Sequence, residues 1–450
     1  MTAAERKYAI EGRRDTETDR VEQMVVHMDA NRAYRAAAEA TGGDADGGLL
    51  AQFRDRFRWY RERWRNQPAE AVARGLTGAA FRATEAPPLC IDIEVAAVCD
   101  LACPFCFRQS IATPDKIIAD ELCYRIIDEA ADLGVPSLKF NWRGEPLLNP
   151  RLPDYVAHAK DRGILETIIN TSATKLDADM SRRLITAGLD LMIYSFDGGS
   201  AETYERMRPG RFAENSFDAV YGNIRRFAEI RRDLGAVFPR TKIQMILTDE
   251  TFPEQGAFFR LFDDCVDDVT VKQYTERGAG LAEVDDASRD RLAAALEALE
   301  LPADTPYMRD MAGDLFVATR RLPCEQPFQR LLVTYDGRVA MCCYDWGAQH
   351  PIGYIDAAAI AEGEAAATEI VDKVKSGAKG FELMDRVDMP ARHNAPPERV
   401  ASLAELWYGP EIDRVRACHV AGEGDSLAVC RNCQFKETYR WRAVGREGQP

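Results

Sequence analysis

Apolar positions recur along the chain in two rhythms. Short apolar runs near 89–97, 136–141, 164–169, 190–195, 242–247 and 268–274 have the length and composition of strands. Between them the spacing changes to three or four residues, as in Leu122, Ile126, Ala130 and Leu133, or Phe217, Val220, Ile224 and Phe227. Six strands alternating with helices of this length predict an α/β fold with a parallel sheet, open or partly closed into a barrel. Chemistry in such a fold sits in the loops at the carboxyl ends of the strands.

The flanking regions have a different pattern. Val21, Met24, Val25 and Met28 form one helical stripe and Phe53, Phe57, Tyr60 and Trp64 another, each expected to dock on a neighbouring domain. A Gly/Asp-rich linker over 42–48 separates them, and Pro87 and Pro88 close the segment. The expected division is a helical extension over 1–86, a core over 87–300 and a third region over 301–450. That last region contains LLVTYDGRVAMCCYDW, which reads as a hairpin turning at Asp336-Gly337, and an Ala/Glu-rich insertion over 357–400 without a legible motif.

Composition narrows the classes. At 450 residues, 46% hydrophobic and 29% charged, the chain is a folded protein with ample core. No run approaches the roughly 18 apolar residues of a membrane span, and the amino terminus MTAAERKYAIEGRRD lacks a secretory apolar core, so a cytoplasmic location is expected. A net charge of −15 argues against nucleic acid as the main partner. Twelve cysteines in such a chain point to metal or redox chemistry rather than disulfides.

Their spacing carries the chemistry. Directly after the first strand comes Cys99-Asp-Leu-Ala-Cys103-Pro-Phe-Cys106, three soft thiolates on one loop. A structural zinc would need a fourth ligand, whereas an iron-sulfur cubane held by three cysteines leaves one iron open to a ligand. Taken alone, the triplet is also compatible with a structural zinc or with an electron-carrying cluster completed by a distant residue.

This CxxxCxxC segment resembles the signature of the radical S-adenosylmethionine (radical SAM) superfamily, and the resemblance extends over about 89–275. It implies a partial (β/α)6 TIM-like barrel and a [4Fe-4S] cluster on Cys99, Cys103 and Cys106, whose open iron binds S-adenosylmethionine. It further implies reductive cleavage of that molecule to a 5′-deoxyadenosyl radical, which takes a hydrogen atom from the substrate. Gly144, Glu145 and Pro146 stand where the family has GGEP, with Arg143 replacing the first glycine and free to reach cofactor or substrate. Asn170, Thr171 and Ser172 resemble the segment that meets the ribose. Ser195 and Arg208, in a segment similar to SxDG…R, are implied to hold the methionine carboxylate, a task suited to a guanidinium fork. Phe105 occupies the place of an aromatic set against the adenine.

Further on, Cys324 is followed by twelve residues, Gly337, four residues and Cys342, and later by Cys430-Arg-Asn-Cys433. This pattern resembles the SPASM/twitch extension of radical SAM enzymes, as do Leu403 to Trp407 and Arg414 to Gly422. It implies one auxiliary [4Fe-4S] cluster on Cys324, Cys342, Cys430 and Cys433, since no cysteine follows Cys433; zinc on the same four thiolates is the plainer alternative. Cys343 would face away from Cys342 on a strand, Cys418 is a spare ligand or a buried thiol, and His419 is expected to cap or pack. Cys265, just before the sixth strand, is a speculative hydrogen-atom donor, with packing as its default role.

Lys272, Gln273, Tyr274, Glu276 and Arg277, with Glu94, are candidates to touch substrate. The expected function is hydrogen abstraction from a carbohydrate-like or small metabolite, leading to oxidation or epimerisation, with electrons from a flavodoxin or ferredoxin-type donor. Modification of a peptide or protein is the rival enzyme reading, and an electron-transfer or zinc scaffold protein the non-enzyme one.

Overall fold

The computed structural model describes Met24 and Val25, residues 48–273 apart from 107 and 109–112, and residues 286–358 apart from 304, 310–314, 346 and 349. It also describes scattered positions over 361–377, and residues 400–444 apart from 432, 434, 436 and 437. Among the described residues, no helix is long and apolar enough to cross a membrane. The linker over 42–47 and most of the 357–400 insertion lie outside them.

All six expected strands form: β1 Cys90–Ile93, β2 Ser137–Lys139, β3 Glu166–Thr171, β4 Leu191–Ser195, β5 Arg240–Leu247 and β6 Asp268–Gln273. They pair in sequence order and in parallel, the wall of a partial (β/α)6 barrel. The connecting helices lie where the periodicity places them. An amino-terminal pair, α1 Gly48–Ala73 and α2 Gly78–Arg82, precedes them. Then come α3 Asp120–Asp132, α4 Leu152–Asp161, α5 Ala178–Ala187, α6 Ala201–Met207, α7 Phe217–Asp233 and α8 Gln255–Phe262. Local chemistry sets several boundaries. Asp177 caps α5 through the Met180 amide and Gly188 ends it in the left-handed region, while Ser200 and Ser216 cap α6 and α7.

Strand alternation sorts the side chains. Ile91, Ile93, Leu138, Ile169, Met192, Tyr194, Ile243, Met245, Val269 and Val271 join Ile126, Val156, Leu184, Ile224 and Phe262 of the helices in one core. The alternate residues, including Asp92, Lys139, Asn170, Lys242, Gln244 and Lys272, therefore line the inner face.

The amino-terminal stripe closes one end of the barrel. Phe57 and Tyr60 of α1 bury against Leu89, Leu165 and Phe238, which precede β1, β3 and β5, and Phe53 and Trp64 pack at the edge. Tyr60 donates to Glu166 Oε2 at 2.9 Å, both groups being buried. The floor thus lies at the amino-terminal ends of the strands, opposite the cysteine loop.

The carboxy-terminal region is less separate than its sequence suggests. After α9 Asp286–Ala298 come β7 Tyr307–Arg309 and β8 Leu315–Arg321, and then the expected hairpin, β9 Arg330–Val333 and β10 Arg338–Ala340, with Gly337 at φ +76° in its turn. β9 pairs parallel to β1, so the hairpin and β11 Pro351–Tyr354 extend the barrel sheet to nine strands. The helices α10 Leu403–Trp407, α11 Pro410–Val420 and α12 Ala428–Arg431 follow, and β12 Tyr439–Ala443 joins β8 and β7 in a small antiparallel sheet. Arg416 of α11 is sandwiched between Phe81 of α2 and Trp407, 4.0 and 4.2 Å from their centroids, and donates to the Pro327 and Trp407 carbonyls.

Replacing Tyr60 with Phe removes one donor from a buried carboxylate. The Tyr60→Phe chain is expected to lose about 1–2 kcal/mol, read as a lower urea midpoint; an unchanged midpoint would show that the floor does not depend on this bond.

Candidate functional site

The loops that leave β1, β2 and β3 converge on one carboxylate. Glu145 accepts from the Thr171 hydroxyl at 2.6 Å, the Ser172 amide at 2.7 Å, the Ser172 hydroxyl at 2.8 Å and the Leu147 amide at 3.1 Å. Burial raises its pKa, and the donors from Ser172 and Thr171 oppose that shift. Gly144 makes the turn possible: a Cβ there would come within 2.2 Å of the Ala96 carbonyl and 2.4 Å of the Val98 carbonyl. The same Val98 carbonyl accepts the Glu145 amide, so the turn is stitched to the segment that leads into Cys99.

That segment carries the three cysteines, with Cys103 buried and Cys99 and Cys106 half-buried. The Cys106 amide donates to the Cys103 carbonyl at 3.0 Å, closing a tight turn between them. Burial pushes the Cys99 thiol up to about 12, opposed chiefly by Arg108, and raises Cys103, which also feels Cys106 and Cys99. Buried thiols that crowd one another gain most from a metal centre, which replaces their protons with positive charge. The Leu101 amide further favours the Cys99 thiolate.

Arginines surround this group. Arg108 is 3% exposed, donates to the Ala97 carbonyl and pairs with Asp115, to which Arg211 is also bound. Arg208 pairs with Asp197 Oδ2 at 2.6 Å, lies 5.8 Å from the Phe105 ring centroid and exerts the largest pull on the Cys103 thiolate. Its Nε is buried without a hydrogen-bond partner, as is Asn170 Oδ1 at the end of β3. A carboxylate and a hydroxyl are the groups that would satisfy them, and S-adenosylmethionine offers both.

Arg143 meets a carboxylate of its own chain, while its Nη1 stays buried without a hydrogen-bond partner. Its guanidinium forms a buried fork with Glu94, Nε to Oε1 at 2.6 Å and a second bond to Oε2 at 2.8 Å, and lies 4.3 Å from the Trp142 ring centroid. Glu94 also receives the Tyr335 amide, and Trp142 Nε1 donates to the Cys343 carbonyl at 3.0 Å. The pair therefore fastens the β2 loop to the carboxy-terminal hairpin, and Glu94 is held by these partners rather than presented as a free substrate contact.

Among the described residues no three ligating side chains stand close enough to hold a single metal ion, but the second set of cysteines lies within electrostatic reach of one another. Cys342 is raised by burial and by Cys343, Cys433, Cys324 and Cys430, and Cys324 by burial and by Cys433 and Cys430. β8 leads into Cys324 and β12 follows Cys433, so the small sheet fixes both. The Phe435 amide points at Cys433 Sγ at 3.4 Å. Cys342 and Cys343 follow β10 rather than lie on it, so strand alternation does not separate them; Cys343 is near Lys139 and Arg330 of the barrel and is also the thiol that Cys342 feels most. Cys418 accepts from the Ser426 hydroxyl at 3.8 Å and is not among the chief influences on Cys324, Cys342 or Cys430. His419 packs in the interior, where it accepts the Cys324 amide and approaches Cys430 Sγ at 3.6 Å, with burial and Arg321 holding its pKa down to about 4.

Cys265 is placed away from this chemistry. It lies between α8 and β6, at the amino-terminal end of the strands, with its thiol 3.8 Å from the Phe262 carbonyl. The cysteine loop follows the carboxyl end of β1, so Cys265 is a packing thiol beside a cavity of about 660 Å³ lined by Arg225, Asp264 and Asp267, not a hydrogen donor at the site. Tyr274, Glu276 and Arg277 lie outside the described residues, and nothing is described of the Gln273 side chain. Arg108, standing two residues past Cys106, was open to notice from the sequence; Asp115, Arg211 and the partnership of Arg143 with Glu94 were not.

Residues 93–232 match the radical SAM superfamily, and 324–375 match SPASM, an iron-sulfur cluster-binding domain. The chain carries a radical SAM domain and a SPASM domain. These domains take S-adenosylmethionine, a [4Fe-4S] cluster that binds it, and auxiliary [4Fe-4S] clusters. The chain is 36% identical to the PqqA peptide cyclase of Granulibacter bethesdensis over 27% of the chain and 32% of that protein. It is 28% identical to the dTDP-4-amino-4,6-dideoxy-D-glucose ammonia-lyase of Streptomyces venezuelae over 38% of the chain and 35% of that protein. The matches thus span about a third of these relatives' length. Among solved structures, Streptococcus suis SuiB bound to precursor peptide SuiA aligns at 14% identity and a TM-score of 0.43, over 68% of this chain and 67% of that one.

Glu145→Gln puts an amide nitrogen where two donors already point. Amide exchange over 144–149 and 171–174 is expected to accelerate at least about tenfold, the equivalent of about 1.4 kcal/mol; unchanged exchange would remove Glu145 as the organiser of the loops.

Proposed function

We propose that this protein is a radical SAM enzyme that abstracts a hydrogen atom from a small, hydroxyl-rich metabolite and carries it to oxidation or epimerisation. Bound at Cys99, Cys103 and Cys106, the [4Fe-4S] cluster with S-adenosylmethionine supplies one-electron chemistry that no side chain offers. The residues of this chain bind, orient and shield. Arg208, oriented by Asp197, offers its unpartnered Nε to the methionine carboxylate, with Ser195 alongside, and Phe105 offers a face to the adenine. Thr171 and Ser172 spend their hydroxyl protons on Glu145, so the ribose contact falls chiefly to Asn170. The α1 floor keeps water from entering the barrel from below.

The observation that carries the substrate reading is the polar inner face. Lys139, Lys242, Gln244 and Lys272 make that face polar, which suits a ligand dense in hydroxyl or amino groups. Committing α1 to the barrel floor also favours a small ligand over a leader-guided peptide. Cys324, Cys342, Cys430 and Cys433 hold one auxiliary [4Fe-4S] cluster, coordinatively full and so fitted to accept an electron rather than bind substrate. A flavodoxin or ferredoxin-type protein supplies the reducing electron.

Anaerobic reconstitution should give about eight irons per chain, two four-iron clusters. Reductant-dependent release of 5′-deoxyadenosine is expected and should vanish in the Cys99→Ala, Cys103→Ala and Cys106→Ala variants. Aminocyclitols or nucleotide sugars should raise that release above the substrate-free rate; stimulation by peptides alone would move the substrate to the peptide class. Cys430→Ala should keep the release and lose product, whereas Cys343→Ala should keep its full iron. Stoichiometric zinc with intact S-adenosylmethionine would overturn the enzyme reading in favour of a scaffold.

A further inference from the structure

His419 stands in the last turn of α11, 1% exposed. The Cys324 amide donates to its Nδ1 at 3.3 Å, so that nitrogen carries no proton and the single ring proton resides on Nε2. Nε2 lies 3.6 Å from Cys430 Sγ, which makes the ring the donor and the sulfur the acceptor. The ring cannot withdraw toward Gly424: a Cβ at that position would come within 2.9 Å of Cε1 and 3.0 Å of Nδ1, so only glycine leaves room for the imidazole where it is. One side chain thus bridges two of the four proposed ligands, accepting from the backbone of one and donating to the thiolate of another.

We propose that His419 tunes the auxiliary cluster, raising its reduction potential through an Nε2–H hydrogen bond to the Cys430 thiolate. This rests on the reading that Cys324, Cys342, Cys430 and Cys433 hold that cluster. A reduced cluster places more negative charge on its sulfurs, so a donor aimed at one of them stabilises the reduced form more than the oxidised form. His419 and Cys430 are both buried, which strengthens the bond because little water competes for that sulfur. The effect makes the cluster a better acceptor of an electron arriving from the barrel.

The test uses the full-length chain, reconstituted anaerobically, with Cys99, Cys103 and Cys106 replaced by Ala so that a single cluster contributes. His419→Phe should lower the EPR-monitored midpoint by the equivalent of about tenfold in the reduction equilibrium, about 59 mV for one electron. His419→Gln, which keeps an N–H donor, should recover much of the loss, and Gly424→Ala, which displaces the ring, should shift the midpoint in the same direction as Phe. An unchanged midpoint in His419→Phe with about four irons retained overturns the proposal. Should that variant fail to hold iron, pulsed EPR on the chain with 15N-labelled histidine and His419 intact decides: a nitrogen coupling to the reduced cluster supports the bond, and its absence overturns it. Absence of any cluster on the four cysteines before His419 is changed would instead refute the reading beneath the proposal.

Discussion

The site depends on a carboxylate taken out of water and surrounded by donors. Glu145 bears the desolvation cost of a buried acid and offsets it with four hydrogen bonds from residues 147, 171 and 172. Each bond ties down a different point on the loops after β2 and β3, while the Gly144 turn holds them against the segment leaving β1. Nearby, the Thr174 hydroxyl donates to Asp100 at 2.8 Å, next to the first cysteine. Three loops that share no sequence proximity therefore move as one body, which is what a site with preorganised donors requires.

A second buried ion pair fastens this body to the carboxy-terminal region. The fork between Arg143 and Glu94 satisfies both carboxylate oxygens, and the adjoining Trp142 holds the Cys343 carbonyl. Farther out, Arg416 serves a different junction, joining α2 and the last helices through two aromatic faces and two carbonyls. Both arginines act by satisfying acceptors that packing alone would leave buried and unpaired.

Local patterns announced much of this. The six strands, the helical stripes of α3 and α7 and the turn at Asp336-Gly337 each rest on a periodicity or a residue type that acts over a few positions, and each forms. The cysteine triplet was legible for the same reason, since its spacing confines three thiolates to one loop. What escaped were partnerships across long separations. Nothing near Arg143 indicated that Glu94 would capture it, because strand register alone brings them together. Cys265 looked chemically interesting until topology placed it at the amino-terminal end of its strand. The hairpin seemed part of a separate unit since the edge it joins lies far back in the chain. His419 acquired its meaning only from the backbone amide and the thiolate that meet its two nitrogens.

The parallel pairing of β9 with β1 has a consequence for biogenesis. β1 is the first strand of the barrel to leave the ribosome, and the neighbour that covers its outer edge is made only after the whole barrel has followed. Throughout that interval a short, apolar strand offers unpaired amides and carbonyls to any other chain nearby. Premature termination anywhere before Arg330 would leave this edge uncovered for good, so truncated products should be far more prone to aggregate than the finished protein.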